Sequence, residues 1–144
     1  MPIRRLLLLI ILSLSSPSVL ADFGKITIVF NDQKVTLELA ETFEQRAQGL
    51  MFRNNLCQEC GMLFVFEEPR QVGFWMRNTF IPLDIAYLSA NGEIRMIAPL
   101  VPLSEESVYS PDSIKYAWEM NRGWFNSKEL IVGDKVNIIR AESN

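Results

Sequence analysis

Apolar and polar positions in this chain alternate in short runs, broken every few residues by turn-forming side chains. Ile26 to Phe30 and Lys34 to Leu39 are β-rich runs separated by Asn31-Asp32-Gln33, a pattern that predicts a hairpin. Thr42 and Gln45 have the spacing of a capping box, with Phe43, Ala47 and Leu50 at helical spacing and Gly49 as the stop. Met62 to Phe66 is apolar on both of its faces, as a strand in the middle of a sheet must be. Glu67 to Arg70 reads as the next turn, and Gly73 to Met76 as a returning apolar strand. Leu83 to Ala98 is the clearest hairpin, with Asn91-Gly92 suited to a type I′ turn. That register sets Tyr87 opposite Met96, Ile85 opposite Ala98 and Asp84 opposite Pro99.

Beyond the hairpin, Pro99, Pro102 and Pro111 punctuate an irregular loop. Ile114 to Met120 predicts a strand, Asn121 to Glu129 a short helical turn, and Lys135 to Ile139 a closing strand after Gly133-Asp134. There is no repeat, low-complexity segment or interdomain linker. The expectation is a mainly β (α+β) fold over residues 22–144: a single compact β-sandwich or barrel-like domain with one or two short helices.

The first 21 residues depart from this pattern. Arg4 and Arg5 precede an apolar run from Leu6 to Leu14 that is too short to span a bilayer, and Val19-Leu20-Ala21 supplies a cleavage site. This predicts a signal peptide cleaved after Ala21, a periplasmic or secreted protein, and no stable membrane insertion after cleavage. An uncleaved anchor is the alternative reading. The absence of a cysteine just after the run argues against a lipoprotein.

Charge and composition then remove several functions. Residues 1–21 hold two arginines and no acid, so the remainder carries 12 basic against 17 acidic side chains, a net −5. That balance argues against nucleic acid as a partner, because no basic surface is available to neutralise phosphates. Histidine is absent, which excludes Ser-His-Asp and Cys-His catalysis and His-ligated zinc. No phosphate loop, nucleophile elbow or metalloprotease motif occurs, and no cofactor is implied.

One stretch switches abruptly from apolar to polar: Phe74-Trp75-Met76, then Arg77-Asn78-Thr79, with Asp84 at the mouth of the next strand. Arg46-x-x-Gly49-Leu50-Met51-Phe52-Arg53 and Gly61-Met62-Leu63-Phe64-Val65-Phe66 precede it. Glu119, Gly123-Trp124 and Gly133-Asp134 follow. In these residues the chain resembles the domain-of-unknown-function 192 family of small, mostly exported prokaryotic proteins. The resemblance covers nearly all of residues 22–144. It implies a compact, mainly β domain of sandwich type and no established activity. The Cys57-x-x-Cys60 pair is not an expected part of that pattern.

Two constellations carry candidate chemistry. Cys57 and Cys60, the only cysteines, read first as a structural disulfide, then as a redox pair, then as a metal site. With Met51, Met62 and Met76 they would suit Cu(I), although methionines in apolar strands pack cores more simply. The second constellation is Arg46, Arg53, Trp75, Asn78, Thr79, Asp84 and Glu119, which would form a binding pocket if the turns converge. The competing reading is a buried network in which Arg46 pairs with Asp84. The leading function is a non-catalytic module binding a small molecule or a protein. The alternatives are a hydrolase or isomerase using Asp84 with Arg46, and a thiol or copper handler.

Overall fold

A computed structural model describes residues 21–140, so the segment expected to be a signal peptide lies, but for Ala21, outside the described residues. The first hairpin pairs β1 (Gly24–Phe30) with β2 (Gln33–Ala40), Phe30 opposite Gln33. Its two-residue turn, Asn31-Asp32, has positive φ at both positions, as a type I′ turn requires. Helix α1 (Phe43–Gln48) opens on the anticipated capping box: Thr42 Oγ1 accepts from Gln45 N–H, and the Gln45 side chain caps Thr42 N–H. It stops at Gly49, whose φ of 49° and ψ of −134° suit glycine alone.

Helix α1 and the segment after it form the crossover that a parallel strand pair needs. They deliver β3 (Gly61–Arg70) beside β2 in parallel, Glu38 opposite Met62. On its other side β3 meets β8 (Ile114–Asn121) antiparallel, with Met62 opposite Glu119 and Phe64 opposite Ala117. Glu67 to Arg70, expected as a turn, instead continues this strand through a register shift between Val65 and Arg70. The bulge absorbs the polar residues by turning their side chains to solvent.

Strands β5 (Leu83–Leu88) and β6 (Ile94–Leu100) complete the sheet beside β8, giving the order β6-β5-β8-β3-β2-β1-β9, with β9 at Asn137–Arg140. The expected register holds at Asp84/Pro99, Ile85/Ala98 and Tyr87/Met96. The turn differs: Asn91 does not have positive φ, Gly92 does at 81°, and Gly92 N–H closes a turn onto the Ser89 carbonyl. A three-residue loop shifts the register by one, and a bulge after Tyr87 shifts it back. Gly73 to Met76 yields only the two-residue β4 (Gly73–Phe74), which pairs with β7 (Val108–Tyr109) in a separate ribbon. The backbone turns away at Trp75 because Met76 N–H bonds to the Ser104 carbonyl instead of a sheet partner.

The large sheet curls without closing into a barrel. Its edges approach where Ile94 exchanges backbone hydrogen bonds with Gly133 and Asp134, and Val136 N–H reaches the Gly92 carbonyl. A Cβ on Gly92 would sit 2.2 Å from the Val136 oxygen, so this approach needs glycine. Inside the curl lies an apolar core around Ile28, Leu37, Leu63, Trp118 and Leu88. Helix α2 (Trp124–Ser127) plugs it with Trp124 and Phe125, whose rings lie 5.2 and 4.9 Å from Trp118. A second core, on the outer face, joins Met62, Phe64, Ile85, Tyr87 and Ala117 to the covering residues Leu50, Met76 and Ile81. The fold is thus mainly β with two short helices. Among the described residues no helix is long and apolar enough to cross a membrane.

Candidate functional site

The outer face is where the covering layer is incomplete. A cavity of about 480 Å³ opens between α1, the outer face of β3 and β8, and the segment from Arg70 to Trp75. Phe64, Phe66 and Glu119 rise from the sheet, Arg46 and Gly49 to Met51 come from the helix side, and Phe74 and Trp75 close the opposite wall. This volume falls within the roughly 300–1,000 Å³ typical of ligand pockets. Gly49 presses against the Phe64 ring, where a Cβ would come to 3.2 Å.

Glu119 is the unusual member. Alternation along β8 sends Trp118 and Met120 into the inner core and Glu119 to the outer face, between Ile85 on β5 and Met62 on β3. It is 4 % exposed, no described residue donates a hydrogen bond to its carboxyl, and that carboxyl reaches the cavity. Burial pushes its pKa up to about 8, so the group is mostly protonated at neutral pH. Tyr87, on the same face, does not partner it: its hydroxyl donates to the Val108 carbonyl at 2.6 Å. Burial, and then the nearby Glu119 charge, raise the Tyr87 pKa.

Arg46 has a positioning role and an open side. Its Nη1 donates to the carbonyls of Glu41 and of Val65, the latter at 2.9 Å, and the guanidinium lies over the Phe66 ring at 5.3 Å. Thr79 is buried and lines the cavity, its Oγ1 donating to the Arg77 carbonyl. Trp75 lies half open at the rim, with the Arg77 guanidinium 5.5 Å from its ring centre.

The other expected site residues lie outside the cavity lining. Arg53 forms a bidentate pair with Glu38 at 2.6 and 2.8 Å, a hydrogen bond that lowers the glutamate pKa and raises that of the arginine. Asn78 is exposed at a positive φ of 53°, and its carbonyl receives Phe52 N–H. Asp84 does not pair with Arg46. It meets Arg122 at 3.0 Å and accepts from Gly123 N–H at 2.8 Å, pinning the entry of α2 to the hairpin mouth. Arg122 in turn donates to the Leu83 and Leu100 carbonyls. The Asp84–Arg46 pair needed by the hydrolase or isomerase reading is therefore absent.

Cys57 and Cys60 are joined in a disulfide. Its loop is fastened from outside: Asn121 Nδ2 donates to the Cys57 carbonyl, and Glu59 binds Trp124 Nε1 and Lys128 Nζ, each at 3.1 Å. Bridged sulfurs offer no thiolates to copper, and Met62 and Met76 are buried in the outer core. Among the described residues no group of three or more Cys, Asp or Glu is arranged to hold a metal ion.

Phe66, Arg70 and Gly49 line the cavity and Arg122 holds Asp84 at the hairpin mouth, roles that the sequence did not assign. Gly49 and Phe66 sit inside the family-like motifs, a signal that could have placed them. Arg122 had none, because 38 residues separate it from Asp84 and no periodicity links them.

With this geometry in view, the chain belongs to the DUF192 family, described as an uncharacterised ACR, whose profile matches residues 26–138. Two crystal structures are similar to it. One is a Sinorhizobium meliloti 1021 protein provisionally described as a transcription regulator, 34% identical with a TM-score of 0.76, the match covering 81% of this chain and 95% of that one. The other is a protein of unknown function from Novosphingobium aromaticivorans DSM 12444, 33% identical with a TM-score of 0.73, covering 85% and 89%. A search of curated proteins gave no match.

Proposed function

We propose that this protein is an exported, single-domain, non-catalytic binding module that holds a small molecule in the cavity over the outer sheet face. The carrying observation is Glu119: a largely buried carboxyl on the sheet, without a described donor, facing a cavity whose walls include the rings of Phe64, Phe66, Phe74 and Trp75. The Glu119 oxygens reach the cavity instead of being sealed in the core, so a ligand bearing a donor can bond them there. A charge-assisted bond of that kind is among the stronger ones. Arg46, Trp75 and Thr79 of the expected pocket contribute to this lining, while Arg53, Asn78 and Asp84 act as supports for the surrounding turns. The charge balance of the chain gives a nucleic-acid role no support, so the regulator description of the Sinorhizobium protein is not carried over.

Native mass spectrometry of the protein purified from the periplasm of its host tests this reading. A retained small molecule is expected, and Ala47→Trp, which fills the cavity from an exposed helix position, should remove it. A bare mass for the wild-type chain, or equal retention by Ala47→Trp, would contradict it.

A further inference from the structure

The cavity has two chemically distinct ends, a carboxyl at one and arginines at the other. Glu119 lies level with Met62 on β3, the residue directly opposite it. Arg46 is fastened at Val65 and Phe66, three to four residues further along the same strand. At the rise of a β-strand this separates the carboxyl end from the guanidinium end by roughly 10–13 Å. Arg70 lines the cavity at the arginine end as well, exposed and without an ion pair to any described residue. Glu67 and Glu68 border the adjoining surface depression beside Phe66 but do not line the cavity. Phe64 lies between the two ends along β3, Phe66 stands at the arginine end, and the Phe74 ring packs against Phe64.

We infer that the cavity takes a small zwitterion, with its ammonium on Glu119, its carboxylate toward Arg46 and Arg70, and an apolar body against the phenylalanine rings. The inference rests on the binding role proposed above and assigns the ligand's chemical class. A contact of about 3 Å at each end leaves roughly 4–7 Å between the ligand's own charges. That separation excludes an α-amino acid binding through its α-groups alone and fits an amine and an acid held apart by a ring or a short chain. Each end discriminates by a different penalty. A ligand lacking the ammonium leaves Glu119 unpartnered, and one lacking the carboxylate forfeits a charge-assisted bond to arginine. The aromatic walls also favour a cation near their faces.

The probes are 4-(aminomethyl)benzoate, which carries both charges at the two ends of a ring, benzylamine, which keeps the ammonium, and 4-methylbenzoate, which keeps the carboxylate. Binding is followed by amide chemical-shift changes in the folded protein at pH 7.5. The zwitterion should bind at least about tenfold more tightly than either single-charge probe, one good polar contact being worth that much. Glu119→Gln should abolish its advantage over 4-methylbenzoate. Arg70→Gln, at an exposed position that leaves the fold intact, should reduce its advantage over benzylamine. If 4-methylbenzoate binds as tightly as the zwitterion, the ammonium–Glu119 contact is wrong although the cavity remains a binding site. Equal affinity of benzylamine and the zwitterion would likewise overturn the arginine end. If none of the three perturbs residues around the cavity, the zwitterion assignment falls, while a small molecule retained in the native mass measurement would still uphold the binding role.

Discussion

Trp118 and Glu119 are neighbours on one strand and face opposite worlds. Trp118 sits in an inner core closed by the curl of the sheet and by α2, where three aromatic partners pack against its ring. Glu119 sits on an outer face roofed by a six-residue helix and by loops that leave a cavity. The inner face spends its residues on packing, and the outer face gives up packing to keep a polar group beside empty space. Separating the two tasks across one sheet lets a small fold carry a buried acid without losing its core. Among the described residues, the enclosed side-chain polar atom that lacks a hydrogen-bond partner lies on the inner face, at Trp118 Nε1, while the Glu119 oxygens reach the cavity.

The largest effect should come from the inner face. Trp118→Ala should cost about 3–5 kcal/mol in urea unfolding, because α2 cannot collapse onto the space left behind. Should the cost stay near that of a surface substitution, the inner core would not be the stabilising half.

Next comes the pH dependence of the outer face. The pKa of Glu119 is raised to about 8 in the folded state, so the folded protein holds a proton that the unfolded chain has released. Its contribution to stability is therefore full below the ordinary carboxylate range and is lost as pH rises toward 8. Between pH 5 and pH 8 the loss should be about 3 kcal/mol. With no histidine and both cysteines bridged, few other groups titrate in that window. Glu119→Gln, which cannot ionise, should remove most of this slope in urea unfolding at the two pH values. An unchanged slope would place the titration elsewhere.

Smaller effects should come from the supports. Asp84→Asn removes a paired, mostly buried charge at the entry to α2 and should cost about 1–3 kcal/mol while leaving probe binding unchanged. Loss of probe binding without loss of stability would restore Asp84 to the site. Cys57→Ser/Cys60→Ser opens a very short loop, for which chain entropy allows about 2 kcal/mol at most. Thermal unfolding should show a modest decrease, and the affinity for 4-(aminomethyl)benzoate should persist.

The same contrast explains what the sequence made legible. The inner face and the central strand could be read because the run from Met62 to Phe66 and the hairpin from Leu83 to Ala98 carry their own periodicity. The Thr42–Gln45 box placed α1 for the same local reason. The turn at Asn91-Gly92 was misjudged, yet the register survived because a bulge compensated for the longer loop. Asp84 was expected to meet Arg46 because both are charged residues in family-like motifs. Its partner is Arg122, which a sheet crossing brings alongside and which no local pattern could announce. Glu119 was visible as a candidate, but its isolation was not. That property depends on Tyr87 being engaged by Val108 and Arg46 by backbone carbonyls.

The most direct test is a carbon-13 NMR titration of the Glu119 side-chain carboxyl, assigned by comparison with Glu119→Gln, in the free protein and with 4-(aminomethyl)benzoate. The expected midpoint is near 8 in the free protein and falls when the ammonium of the probe arrives. A midpoint in the ordinary carboxylate range, or one that does not move with the probe bound, would contradict it.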